Sequence, residues 1–454
     1  MHKKSLILFI HCALTLFIKY SPCDANLKNT ITNENVQDFL GNRRTPVSNE
    51  TSLLKDLNKI KLLWEFKKGD SYTSPVIKHD KLIYAHSQNE QLLVECLNTI
   101  TGNTIWRYKS PSNYKDSFGY GNGPRGSAII SNELVYLHDV SGDLLCLNLD
   151  NGEKIWSLNT NANYCVPQAF FGIASTPLIV NNNIIVNVGV PKGPSVVAFN
   201  KNNGKEIWKT GNKWLSSYAS PIVAKIHNQQ RIYVFCGGKS KPPTGGLISI
   251  DPQNGKIDFE YFWRSKSFQS VNASTPILVD HDKIFISSSY KTGASLLKIE
   301  KDFSYKTLWE SQDLNCHWMT PIFYNGYIYG IHGRHSRNSK LVCLSAKTGK
   351  SIWSEQVNWY EENEKTKNSI KISIQLGSLL KADEHFLCLT ETGHLLWLDL
   401  NPKGYKILSK TKLFTANQTW CSPIISQGQL YIAQNTKDKT TGKSPRLRCY
   451  TFRD

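Results

Sequence analysis

The feature that most constrains this chain is a phrase that keeps returning: a nearly continuous apolar run, a tight turn, then an aromatic residue four places after a glycine. "GDLLCLNLDNGEKIW" at 142–156 is matched by "ECLNTITGNTIW" at 95–106, "VAFNKNNGKEIW" at 197–208, "ISIDPQNGKIDF" at 248–259 and "VCLSAKTGKSIW" at 342–353. The closing aromatics Trp64, Trp106, Trp156, Trp208, Phe259, Trp309 and Trp353 recur about every fifty residues, with a degenerate eighth slot near 405–408. A hydroxyl residue opens each unit, at Ser74, Ser127, Thr176, Ser220, Thr275, Thr320, Ser378 and Ser422, and proline follows six of them. Eight openings mean eight units.

Four short strands fit each period. In the second unit they are expected at 128–131, 134–138, 143–149 and 153–158, the last two joined through Asp150-Asn151-Gly152. Asn-Gly between two strand-like runs signals a hairpin whose turn residues take positive φ. The third strand is apolar almost throughout, so its sheet must be covered on both faces. A ring of blades packed face to face supplies that cover, and each closing aromatic would wedge between neighbouring sheets, burying about 200 Å². Trp64 precedes the first opening step, while the chain ends on the third-strand-like run "RLRCYTF" at 446–452. The expectation is therefore an all-β fold: an eight-bladed β-propeller of four-stranded antiparallel blades over 61–454, its ring closed by the N-terminal strand. Residues 26–60 form an N-terminal extension, in which 50–58 reads as a short amphipathic helix capped by Ser48 or Asn49. Longer insertions fall at 236–246, 330–340 and 355–370, the last read as a charged linker.

Residues 1–25 carry Lys3 and Lys4, an apolar stretch from Leu6 to Ile18 and a small-residue end at Ala25, the layout of a secretory signal peptide. The expected location is periplasmic or extracellular. A lipid anchor on Cys23 is the rival reading, with Tyr20 and Pro22 poor residues for it. Removing that segment lowers the formal charge from +18 to +16. The lysines are scattered rather than gathered, so the basic balance reads as a solvated surface, with contact to anionic partners as the alternative. Of the nine remaining cysteines, Cys96, Cys146, Cys343 and Cys449 share one repeat slot, held by Ala198 in the third repeat, and read as small packing residues. Cys165, Cys236, Cys316 and Cys421 lie outside the slot and could pair or stay free. No C-x-x-C occurs, which argues against a zinc or thioredoxin-like site.

A Gly-x-x-x-Trp turn in eight blades of about fifty residues resembles the PQQ-like, quinoprotein-type β-propeller repeat family. The similarity spans roughly 60–452, and the stretches at 39–66 and 119–127 look like its secreted planctomycete-type members. The resemblance implies one of two roles. Dehydrogenases of the family hold pyrroloquinoline quinone beneath a vicinal Cys-Cys disulfide and above a tryptophan, with calcium on Glu, Asn and Asp. This sequence has no Cys-Cys dipeptide and no Asp-x-Asp near a blade opening. The other kind is similar to the propeller lipoprotein of the outer-membrane β-barrel assembly machinery, which presents loops to a partner.

Ligands of propellers sit at the axis, where strand openings converge. Residues two or three places before each opening step are Tyr72, Arg125, Tyr218, Asn272, His317, Trp318, Gln375 and Trp420. This aromatic and polar ring around Arg125 would suit a sugar, a peptide strand or an anionic small molecule; the competing account is that it simply caps the channel. His332, Arg334, His335 and Arg337 in "GIHGRHSRNSK" read as a solvated loop, against a patch for an anionic partner or a metal pair. "GYGNGPRGS" at 119–127 lacks the Lys-Ser/Thr ending of a phosphate cradle and reads as a turn-rich approach to the second blade. The expected protein is an exported, non-catalytic, monomeric binding or scaffold module for a protein or glycan partner, without cofactor, metal or nucleic acid. Peripheral or lipid-anchored membrane association stays open. The alternatives are a quinone- and calcium-dependent redox enzyme and an envelope assembly factor.

Overall fold

A computed structural model describes residues 34–362 and 367–453; the expected signal segment and Cys23 lie outside them. Eight four-stranded antiparallel sheets form an eight-bladed β-propeller. Blade 2 comprises Ile129–Ser131, Leu134–His138, Asp143–Asn148 and Lys154–Asn159, within a residue of the expected bounds. Blades 1 and 3 to 7 span 76–111, 178–210, 222–262, 277–311, 322–355 and 378–412. Blade 8 takes its outer strand, Leu62–Lys67, from the N-terminal side, paired with Arg446–Thr451 near the C-terminus. The ring thus closes through hydrogen bonds between the two ends of the chain.

The repeated phrase has a two-part physical basis. Trp64, Trp106, Trp156, Trp208 and Trp309 each lie against the glycine of the next blade's turn, and every wedge indole donates its Nε1–H to a carbonyl of that turn region. Trp64 bonds to Thr99 O (2.8 Å), Trp106 to Leu149 O (2.8 Å), Trp156 to Lys201 O (3.0 Å) and Trp208 to Pro252 O (3.2 Å). Trp309 and Trp353 donate likewise to Ala346 O and Asn401 O. At Gly152, where φ is +74°, an added Cβ would stand 2.5 Å from the Trp106 ring. Glycine is required there twice over, for the turn and for the seat. Trp64, Trp106, Trp208 and Phe259 are buried, whereas Trp156, Trp309 and Trp353 are half-buried.

The cysteine slot is the cross-strand partner of the wedge. Cys96 pairs with Trp106, Cys146 with Trp156, Ala198 with Trp208, Cys343 with Trp353 and Cys449 with Trp64, and a β-bulge falls beside each. A small side chain leaves room for the indole. Burial pushes the Cys96 and Cys146 thiols up to about 12, in keeping with packing rather than reactivity. The nine described cysteines are unpaired thiols, and Cys165 alone of them is exposed. Blade 7 inverts the arrangement: Trp397 occupies the third-strand slot opposite Ser409, which accounts for the degenerate aromatic position. Trp397 is fully buried, stacks on Phe452 and donates to Leu54 O at 2.8 Å.

The opening hydroxyls form a belt around the axis. The N–H of Ser74 donates to the Ser127 hydroxyl (3.0 Å), that of Ser127 to Thr176 (2.9 Å), and that of Thr176 to Ser220 (3.0 Å). Along blades 1 to 4 each opening hydroxyl thereby satisfies a buried donor of the blade before it.

Two expectations are corrected. Residues 50–58 do not form an amphipathic helix; only a 3₁₀ turn, Leu57–Lys59, forms, capped by Asp56 rather than Ser48 or Asn49. The rest of that stretch is held extended by long-range partners, since Leu53 N–H donates to Asp383 and Leu57 N–H to Ser409 Oγ. The stretch 355–370 is not a plain linker, because Asn358–Glu362 and Ser369–Ser373 pair as a hairpin. Trp359 anchors it against His394 of blade 7.

The extension runs along the inner strands. Ile77 and Ile130 donate to the carbonyls of Val36 and Gln37, and Lys381 to that of Pro46. Arg44, 3% exposed, pairs with Asp38 at 2.8 Å and bonds the carbonyls of Pro177 and Pro221, tying blades 3 and 4 to the extension.

Candidate functional site

The inner strands begin at the axis, so the residue two places before each opening step projects from all eight blades toward one space. That set is Tyr72, Arg125, Ala174, Tyr218, Ala273, Trp318, Leu376 and Trp420, and all eight line a cavity of about 570 Å³. Phe39 and Leu40 of the extension complete the wall below the ring. Six sequence candidates therefore meet here: Tyr72, Arg125, Tyr218, His317, Trp318 and Trp420. Asn272 and Gln375 sit three places before their openings and do not line it. Asn272 is fully buried and donates to Cys236 O and Trp263 O, fixing the loop behind the wall. Gln375 takes a left-handed backbone, φ +51°.

Sequence reasoning missed a second ring. Tyr290, Arg334 and Glu391 enter the cavity from the turns between the second and third strands of blades 5, 6 and 7. Tyr120 and Phe171 arrive from the connections between blades. Recurrence of the strand-two to strand-three turn was a usable signal, since those turns open on the same face as the blade openings. Arg334 and His335, read above as part of a solvated loop, are cavity residues.

The aromatic rings touch in sequence. Tyr72 stacks on Trp420 at 5.5 Å, Trp420 meets Trp318 at 4.8 Å, Trp318 meets His317 at 4.8 Å, and His317 meets Tyr290 at 5.6 Å. Burial, reinforced by Arg334 and His335, holds the His317 imidazole down at about 3, so it stays neutral at physiological pH. Arg125 is already engaged: it pairs with Asp116 at 2.9 Å, donates to Gly121 O and Gly123 O, and lies over the Tyr72 and Phe171 rings. Its fork holds the 116–126 loop together. Arg334 lies 4.2 Å from the Tyr290 ring centroid.

A quinone and calcium pair does not fit these residues. Calcium takes six to eight oxygens with carboxylates among them. Glu391 is the carboxylate lining the cavity, and its oxygens accept from Trp420 Nε1 (3.2 Å) and Leu376 N–H (3.3 Å). Among the described residues no group of three or more His, Cys, Asp or Glu converges on a metal position. The tryptophans contact each other instead of facing across a planar slot.

Above the cavity, Phe118, Phe170, Phe171 and Phe268 form a linked aromatic cluster, with Phe118 52% exposed. Lys239 and Lys241, from the 236–246 insertion, lie over Phe170 and Phe268.

A family model described as outer membrane protein assembly factor BamB matches residues 56–166 and 94–355. The assembly factor BamB of Nitrosomonas eutropha is 26% identical over 258 residues, 55% of this chain and 54% of the relative. Quinoprotein alcohol dehydrogenase PedH of Pseudomonas putida is 26% identical over 183 residues, 37% of this chain and 28% of the relative. The chain spans about half the length of the first of these curated relatives and less of the second. Among solved structures, BamB from Moraxella catarrhalis aligns with a TM-score of 0.55 at 14% identity, covering 87% of this chain and 98% of that one. A europium-containing methanol dehydrogenase aligns at 0.63 and 11%, covering 92% and 98%. At such identities the likeness is one of fold, shared by an assembly factor and a dehydrogenase.

Proposed function

The chain belongs to the PQQ-like β-propeller family, and from that premise we propose that it is a non-catalytic binding module of the cell envelope, holding a protein partner on its axial face. The observation that carries this reading is the cluster of Phe118, Phe170, Phe171 and Phe268 around the cavity mouth, flanked by Lys239 and Lys241. An exposed phenylalanine backed by half-buried rings among lysines has the make-up of a binding rim rather than of an ordinary loop surface. The relatives named as outer membrane protein assembly factors support a scaffold role. The secretory layout of residues 1–25 supports this reading, and no helix among the described residues is long and apolar enough to cross a membrane.

The redox alternative draws on the quinoprotein relatives. It lacks support from the cavity, where among the described residues Glu391 alone brings a carboxylate to the wall, and where touching tryptophans do not suit a flat quinone.

Photo-crosslinking from position 118 in intact envelopes tests the proposal. A discrete adduct with one envelope protein is expected, and Phe170→Asp should abolish it while the propeller stays folded. No adduct, or an adduct indifferent to that substitution, would refute the rim as the partner surface.

A further inference from the structure

The wall of the axial cavity is uneven in charge and in satisfied hydrogen bonds. Arg264, 6% exposed, stands behind it, near the neutral phenols of Tyr290 and Tyr218. One terminal nitrogen donates to Gly238 O and Ser270 O, but Nε and Nη1 meet no acceptor. Beside it, Arg334 rests on Tyr290, and the buried Nε1 of Trp318 and Nδ1 of His317 also meet no partner. A desolvated cation without a counter-charge is costly, and so is each buried donor left unmet. Arg334 lines the cavity on the blade 5 and 6 side and leaves that side positive, suited to an anionic oxygen group. On the blade 7 side, Glu391 presents a carboxylate beside Trp420, with Gln418 close by. That side favours hydroxyl donors and repels a second anion.

We propose that the cavity binds an acidic sugar of one or two rings, its carboxylate toward Arg334 and its ring against Trp318 and Trp420. A volume of about 570 Å³ accommodates such a ligand. A neutral sugar leaves the Arg334 guanidinium without an anion, a polycarboxylate meets Glu391, and a simple aromatic acid has no hydroxyls to offer that carboxylate. This ligand is additional to the protein partner proposed above, and its site lies beneath the rim rather than on it.

The test is calorimetric titration of the purified full chain with glucuronate, galacturonate, glucose and benzoate, with tryptophan fluorescence read in parallel. Saturable binding of a hexuronate is expected, at least about tenfold tighter than glucose or benzoate, since a charged fork on a carboxylate supplies the discrimination. Arg334→Gln should weaken the hexuronate by about tenfold or more, whereas Arg337→Gln, in the same loop but outside the cavity lining, should not. Trp318→Phe should bind more weakly and lose most of the fluorescence response. No hexuronate binding would overturn the proposal, as would equal binding of glucose or benzoate. Indifference to Arg334→Gln would overturn the placement. Position-118 crosslinking reads the partner surface independently, so failure of either reading leaves the other standing.

Discussion

Trp106 and Gly152 are two halves of one contact, contributed by adjacent blades. Trp106→Ala should cost about 3–5 kcal/mol in denaturant unfolding, because an inter-blade void replaces the ring. Gly152→Ala should cost about 1–3 kcal/mol, from its Cβ meeting the ring 2.5 Å away and from φ +74°. The double variant should fall clearly below the sum, since removing the indole relieves the clash. Strict additivity would show that glycine and indole are not in contact. Trp156 is only half-buried, so Trp156→Ala should cost less than Trp106→Ala. A second prediction concerns His138 and Asp139. Burial holds the His138 imidazole down at about 4, while its hydrogen bond to Gly142 pulls the other way; burial pushes the Asp139 carboxyl up to about 6. Between pH 6.5 and 4 the unfolded chain binds a proton that folded His138 refuses, so this group loses stability on acidification. Between pH 6 and 4 folded Asp139 keeps a proton that the unfolded chain releases, so it gains stability. Relative to wild type, Asp139→Asn should steepen the loss on acidification and His138→Gln should reduce it, by a few kcal/mol in order of magnitude. Parallel stability profiles from pH 7 to 4 would contradict the assignment.

At the scale of elements, the N-terminal extension does two jobs that the repeat leaves undone. Leu57 is fully buried in the core shared by blades 7 and 8, with its N–H on Ser409, the position where other blades carry their wedge. Farther up the chain, Arg44 knots blades 3 and 4 to residues 38–47 through carbonyls. Arg44→Ala should cost about 2–4 kcal/mol, because it leaves the half-buried Asp38 carboxyl, whose pKa its surroundings already raise, without its partner and leaves the Pro177 and Pro221 carbonyls unmet. Adding Asp38→Asn should recover part of that loss, and a fully additive pair would argue against the ion pair. None of this was legible in the sequence. Arg44 and its acceptors stand more than 130 residues apart, and a buried cation that bonds main-chain carbonyls leaves no side-chain motif. The helix expected at 50–58 failed for the same reason, since Asp383 and Ser409 claimed the N–H groups that a helix would have used.

For the whole molecule, the ring was readable because one period repeats eight times. Trp64 at one end and "RLRCYTF" at the other named the closing pair of strands, which meet with Trp64 opposite Cys449. The cavity was half readable. Openings fix the direction of the residue two places before them, which brought Tyr72, Arg125, Tyr218, Trp318 and Trp420 together, but the residue three places before faces elsewhere at Asn272 and Gln375. Tyr290, Arg334 and Glu391 come from the recurring strand-two to strand-three turns, which mark the face but, varying in length, not the individual position. The central claim is that this quinoprotein-like ring binds without redox chemistry. Purified protein titrated with pyrroloquinoline quinone and Ca²⁺, with tryptophan fluorescence and dye reduction followed across a panel of alcohols and sugars, tests it most directly. Neither saturable quenching by the quinone nor dye reduction is expected, because among the described residues Glu391 alone brings a carboxylate to the cavity wall and Trp318 and Trp420 close on each other. Saturable quenching accompanied by turnover would contradict it and place a working quinone site between those two tryptophans.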